Sequence, residues 1–254
     1  MTADAQLDAL ARSVEHLRAL VAPLDDAAIT RPAFPAEWTI ADVLSHVGSS
    51  AVIHERNLDE ALAGTKISED FAPSVWDTWD AKRARAKVDD GLAADASVLA
   101  RLQQVDVDRR AALQLSLGPL TVDFPGFVAL RLNEHLLHTW DVEVALDPRA
   151  VLQPHAVPFV VDGLGLIARY TGRPTGERRT IRVATSDPVR RFAVELAPDA
   201  VAFEMGSTDV APDVELPAEA WIRLVYGRLD PEHTPRVDDP TGVLDELRRI
   251  YPGP

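Results

Sequence analysis

Arg131-Leu132-Asn133-Glu134-His135-Leu136-Leu137-His138-Thr139-Trp140-Asp141 is the stretch on which the reading of the fold turns. It sits in a strongly apolar run from Gly126 to about Leu146 that ends before Asp147-Pro148, where the residue preceding proline is pushed out of the α region. One long helix is predicted. Residues four apart on a helix lie within about 40° of each other around its axis. Glu134 and His138 therefore share a face, and Asp141, seven places after Glu134, lies on it too. A carboxylate and an imidazole so placed suit a divalent metal such as zinc, and Asp141 can accept a hydrogen bond from a ligand imidazole. His135 and His138, three apart, offer a competing ligand face. The spacing by itself leaves both open, together with a Glu-His pair on a helix surface that binds nothing.

Upstream, Leu7, Leu10, Ala11, Val14, Leu17 and Val21 recur at intervals of three and four, which predicts an amphipathic helix from Ala5 to Leu24. A proline-bearing loop then leads to Trp38-Thr39-Ile40-Ala41-Asp42-Val43-Leu44-Ser45-His46-Val47. Thr39 is a good N-cap, with Asp42 three places on in a capping-box-like arrangement, and the helix is expected to run to about Ala63 and stop at Gly64. His46 on that helix reads equally as a hydrogen-bonded core histidine. A third helical stretch, Val75 to Val105, is interrupted in expectation at Asp89-Asp90-Gly91, and Gly118-Pro119 and Phe124-Pro125-Gly126 punctuate a loop. Trp76 and Trp79, three apart, read as packing residues or as an aromatic wall for a substrate, and His54, eight after His46, as a surface residue or one that lines the cleft.

Downstream the period changes. After a short helix from Val157 to Tyr170 and the Thr171–Gly176 loop, Thr180–Thr185 and Arg191–Leu196 alternate as half-buried strands do, with Val201–Met205 and Asp213–Leu216 as two more. Helices from Pro217 to Val225 and from Thr241 to Ile250 close the chain. The expected organisation is an all-helical domain over residues 1–171 and a small α+β domain over 172–254.

The chain of 254 residues is 46% hydrophobic and 26% charged, the balance of an ordinary globular protein. Its 40 acidic against 26 basic side chains give a net charge of -14, which repels a nucleic-acid backbone or an anionic membrane surface. Nucleic-acid and membrane partners are not expected. The N-terminus carries no basic leader, and no segment approaches the roughly 20 apolar residues of a membrane span, so a cytoplasmic protein is expected. With no cysteine, the chain has no thiolate ligand or thiol nucleophile of its own. No glycine-rich phosphate loop or Ser-His-Asp order is visible, and Gly163-Leu164-Gly165 lacks the preceding strand of a dinucleotide site.

The Trp38–Val47 and Arg131–Asp141 stretches resemble the DinB-like superfamily and, within it, the mycothiol-dependent maleylpyruvate isomerase family. In that family a histidine follows a Trp-Thr/Ser entry into its helix, and a Glu-x-x-x-His-x-x-Asp run supplies the other ligands. The resemblance implies a DinB-like four-helix bundle followed by a small sterol-carrier-like α+β domain. Carried over residue by residue, it implies His46, Glu134 and His138 as zinc ligands, Asp141 behind them, and a C-terminal arginine reaching over the cleft. Arg228 after Gly227 is the first choice for it and Arg223 the second.

The implied activity is zinc-dependent, with mycothiol as the thiol and a small electrophilic or diacid substrate. A thiolate adds to the double bond of a cis-unsaturated diacid, the bond rotates, and elimination releases the trans isomer. The same ligand set serves a mycothiol S-transferase, whose adduct stays attached. A non-catalytic metal-binding or regulatory protein, and a hydrolase using zinc-bound water, are the competing classes.

Overall fold

The computed structural model describes residues 2–34, 36–118, 120–207 and 209–253. The chain divides into two compact units, Met1–Ala150 and Val151–Pro254. In the first, α1 (Ala3–Val21), α2 (Ile40–Ala63), α4 (Ala84–Gln103) and α6 (Phe124–Leu146) are the long helices, with α3 (Phe71–Asp80) and α5 (Val107–Ala112) between them. α2 packs mainly on α4 and α1 mainly on α6, while contacts of α1 with α4 and of α2 with α6 complete a four-helix arrangement. The apolar stripe of α1 read from the sequence is buried there: Leu7, Leu10, Val14, Leu17 and Val21 all face the core.

The expected break at Asp89-Asp90-Gly91 is not where the third helical stretch divides. It divides at residues 81–83, and α4 runs through Gly91. The glycine is there for closeness: a Cβ on Gly91 would lie 2.5 Å from the carbonyl oxygen of Leu44, and one on Gly48 would lie 2.7 Å from the Gly91 Cα and 2.4 Å from the Trp79 ring. Two glycines at the α2–α4 crossing thus let the backbones approach. Trp79 fills the space beside them with Lys82 Nζ 3.5 Å above its ring, whereas Trp76 is half exposed.

The segment expected as a loop before α6 is an antiparallel hairpin, β1 (Gln114–Leu117) with β2 (Leu120–Asp123), in which Leu115 opposite Val122 is buried. Four-residue strands carry too few alternations to stand out from a loop. Asp123 ends the hairpin and caps α6, its carboxylate accepting from the Gly126 amide at 2.8 Å. The helix therefore starts two residues before Gly126.

The second unit holds α7 (Val157–Val161), α8 (Leu164–Thr171), β3 (Arg179–Ser186), β4 (Arg190–Ala197), β5 (Ala200–Met205), β6 (Val214–Pro217), α9 (Ala218–Val225) and α10 (Val243–Ile250). Its boundary lies ahead of the 171/172 position expected from the change of period, because α7 packs on α9, and α8 on α9 and β5. The period marks where helix gives way to strand, not where the contacts divide. The sheet order is β5-β4-β3-β6, antiparallel except for the parallel β3–β6 pair. Val183 stands opposite Phe192 on one side and Val214 on the other, and the ring of Trp221 from α9 stacks 6.0 Å from Phe203 and meets Tyr251 edge-on at 6.2 Å. No helix among the described residues is long and apolar enough to cross a membrane.

Candidate metal centre

The N-terminus of α2 is set by the capping box read from the sequence. The Asp42 amide donates to Thr39 Oγ1 at 3.2 Å, and the Thr39 amide donates to Asp42 Oδ2 at 3.0 Å. The other oxygen of Asp42 accepts from Lys87 Nζ of α4 at 2.7 Å. Burial pushes the Asp42 carboxyl up, but Lys87 and Thr39 outweigh it and hold it below its ordinary value. This fixes the first turn of α2, one turn before His46.

His46 meets Glu134 and His138 of α6 across the α2–α6 contact, with one ligand atom from each lying within 4.8 Å of the others. Glu134 Oε2 is 3.2 Å from His46 Nε2 and 3.6 Å from His138 Nε2. Donors about 2.0–2.1 Å from a tetrahedral zinc are roughly 3.3–3.5 Å apart, so the spacing and the two-imidazole, one-carboxylate set fit such an ion. Side-chain exposures of 35% for His46 and 42% for Glu134 leave the group open to solvent on one side. Three protein donors with an open side match catalytic zinc sites more closely than closed structural ones.

His138 is the most enclosed of the three, and its Nδ1 lies 2.8 Å from Oδ2 of the fully buried Asp141. With Nδ1–H donating to that carboxylate, Nε2 is the atom that faces Glu134 and His46: protonated, it points its N–H at Glu134, and deprotonated, it offers its lone pair to a cation. Burial pushes the His138 imidazolium down, but Asp141 and Glu134 overcome it and raise the pKa. Burial raises Glu134, whereas hydrogen bonds from His138 and His46 hold its carboxyl well below the usual range. Trp38, the residue before the capping threonine, covers the pair: its ring stacks 6.2 Å from His138 and lies 5.3 Å from His46. The Trp-Thr entry is thus a wall of the site as well as a helix start.

The competing His135 does not join this group. Its ring is fully buried on the core side, with Nε2 donating to Asp95 Oδ2 at 2.8 Å and Nδ1 accepting from Ser13 Oγ at 2.8 Å. Arg131 completes that cluster through a 2.7 Å ion pair with Asp95. Burial raises the Asp95 carboxyl, yet His135 and Arg131 hold it far below its ordinary value. Sequence reading missed Asp95 because nothing local marks it; its role is visible only where α4 meets α6. His54 is also outside the triad, with Nδ1–H donating to the Ser50 carbonyl at 2.9 Å and its ring 5.2 Å from Phe127. Burial, helped by the Arg131 charge, pushes its pKa down to about 4.

The two arginines belong to the second unit. Arg223 is held by a two-point contact with Glu219 at 2.8 and 3.0 Å and donates to the His233 carbonyl. Arg228 follows Gly227, whose φ of 69° and contact with Gly253 admit no side chain, and its Nη1 donates to the Tyr226 carbonyl at 3.1 Å. Asp141, unlike Arg223 and Arg228, lies in the same unit as the three convergent side chains.

Residues 10–143, just over half of the chain and all of the α2–α6 site, match the family described as Mycothiol maleylpyruvate isomerase N-terminal domain. The chain belongs to that family. Its fold is similar to a crystal structure of the mycothiol-dependent maleylpyruvate isomerase and to one of a histidine-to-alanine mutant of that enzyme. Each superposes with a TM-score of 0.66 at 14% identity over 90% of both chains, which establishes the shared fold across both units. No curated protein sequence matched.

Proposed function

We propose that this protein is a zinc-dependent, mycothiol-using enzyme that interconverts the cis and trans forms of a small unsaturated diacid, as the isomerase of similar fold is named for. The convergence of His46, Glu134 and His138 carries the reading, because a chain without cysteine needs both a thiol from outside and a means of ionising it. A divalent cation held by these three side chains would lower the pKa of a thiol at its open position.

The chain's own residues supply the rest. Asp141 keeps His138 in the tautomer whose Nε2 faces the ligand position. Glu134, ionised throughout the neutral range, offsets cationic charge there. Trp38 excludes water from the imidazole faces. Arg228 is assigned to a substrate carboxylate, for which a guanidinium offers two parallel hydrogen bonds.

The test is turnover of a cis-unsaturated diacid such as maleylpyruvate by metal-replete protein with and without mycothiol, alongside metal analysis. Thiol-dependent isomerisation with stoichiometric zinc supports the proposal, and no bound metal in wild type sinks it. Consumption of thiol with a stable adduct would assign the S-transferase outcome instead.

A further inference from the structure

Behind the three convergent side chains lies a buried charged cluster that the proposed chemistry does not use. Arg131 and His135 each precede a site residue of α6 by three positions, and both are fully buried, as is Asp95 to within 1%. The Arg131 Nη2 group reaches two other helices at once. It donates to Asp95 Oδ1 of α4 at 2.7 Å and to the Val47 carbonyl of α2 at 3.1 Å. Val47 is the peptide neighbour of His46, so this second bond ties the turn that carries His46 to the helix that carries Glu134 and His138. Asp95 fixes the guanidinium with one oxygen and His135 with the other, and His135 in turn meets Ser13 of α1.

A buried ion pair is a weak source of net stability compared with apolar side chains of the same volume, because both charges lose their water. What it adds is direction. A guanidinium held by a carboxylate on one side has few orientations left, so the helix carbonyl it binds is held in register. A site whose donors must share one ion tolerates only about 0.5 Å of drift.

We propose that Asp95 and Arg131 are positioning residues that hold the His46 turn of α2 against the Glu134–His138 face of α6, at the separation where the three donors share one cation. The role rests on the metal-site reading above, but it makes a claim about the metal-free protein too. The His46 and His138 rings stand 4.5 Å apart between centroids, near enough for a ring-to-ring nuclear Overhauser effect.

Two full-length variants test it. D95N leaves the arginine charge without its partner, and D95L/R131M/H135F removes the three buried side chains of the cluster together, so a folded protein is available even if the first variant is unstable. With helix content retained by circular dichroism, both are expected to lose the His46–His138 Overhauser effect without metal. Both are expected to bind Co(II) at least tenfold more weakly against a competing chelator, with a weakened tetrahedral visible band. An Overhauser effect that survives in the folded variants, or Co(II) affinity and spectrum equal to wild type, overturns the positioning role while leaving the metal site standing. Loss of the Overhauser effect in a protein whose wild type takes up no Co(II) sinks the metal reading and leaves the helix clamp standing.

Discussion

His138 Nδ1 lies 2.8 Å from Oδ2 of Asp141, a carboxylate with no solvent exposure that is placed one turn further along the same helix. The contact decides which nitrogen of His138 faces Glu134 and His46. Asp141→Asn is expected to weaken zinc binding about 10- to 100-fold, as the loss of a buried carboxylate partner does at other imidazole sites. Chelator competition at pH 7 measures this, and affinity equal to wild type would refute it.

His54 makes stability depend on pH in the mildly acidic range. Its folded pKa, about 4, lies below the ordinary 6.5, so the unfolded chain takes up a proton that the folded chain refuses. Stability therefore falls as pH drops from 6.5 toward 4. Between pH 7 and 5 this one group is expected to remove about 2 kcal/mol. Urea unfolding of wild type and His54→Phe at the two values checks it, with the variant flatter by that amount.

Gly91→Ala should destabilise the protein even though alanine is the better helix former by about 1 kcal/mol. The new Cβ would stand 2.5 Å from the Leu44 carbonyl oxygen, and a helix backbone cannot move away locally. A net loss of about 1–3 kcal/mol is expected from overpacking, read as a lowered midpoint in thermal or urea unfolding. An unchanged midpoint would mean that α2 and α4 can separate freely.

Arg228 and Arg223 should separate cleanly under mutation. Arg228→Ala is expected to lower turnover about a hundredfold, the worth of a charge-assisted two-point contact, with metal content unchanged. Arg223→Ala strands Glu219, whose side chain is 13% exposed, and is expected to cost about 3 kcal/mol of stability. Steady-state kinetics and unfolding of the two variants, measured side by side, decide between the assignments.

Local signals carried much of this protein. The apolar period of α1, the Thr39–Asp42 box, the left-handed Gly64 that ends α2 and the alternation of β3 and β4 each depend on residues within a few positions of one another, and each is found where the sequence places it. The short hairpin before α6 and the continuity of α4 through Gly91 escaped notice. One has too few residues to show a period, and the other obeys a neighbouring helix that its own sequence does not mention.

By itself, the sequence determined that Glu134, His138 and Asp141 share one helical face, since 3.6 residues per turn permits nothing else. It could not choose between Glu134 and His135 as the partner of His138, because one lies four and the other three positions before it on the helix. Tertiary packing made that choice. Asp95 of α4 and Ser13 of α1 draw His135 into the core, while His46 of α2 meets the other face. Which imidazole is drawn into the core and which meets Glu134 and His46 depends on the polar groups that neighbouring helices bring, and those that hold His135 lie 40 and 122 residues away in the chain.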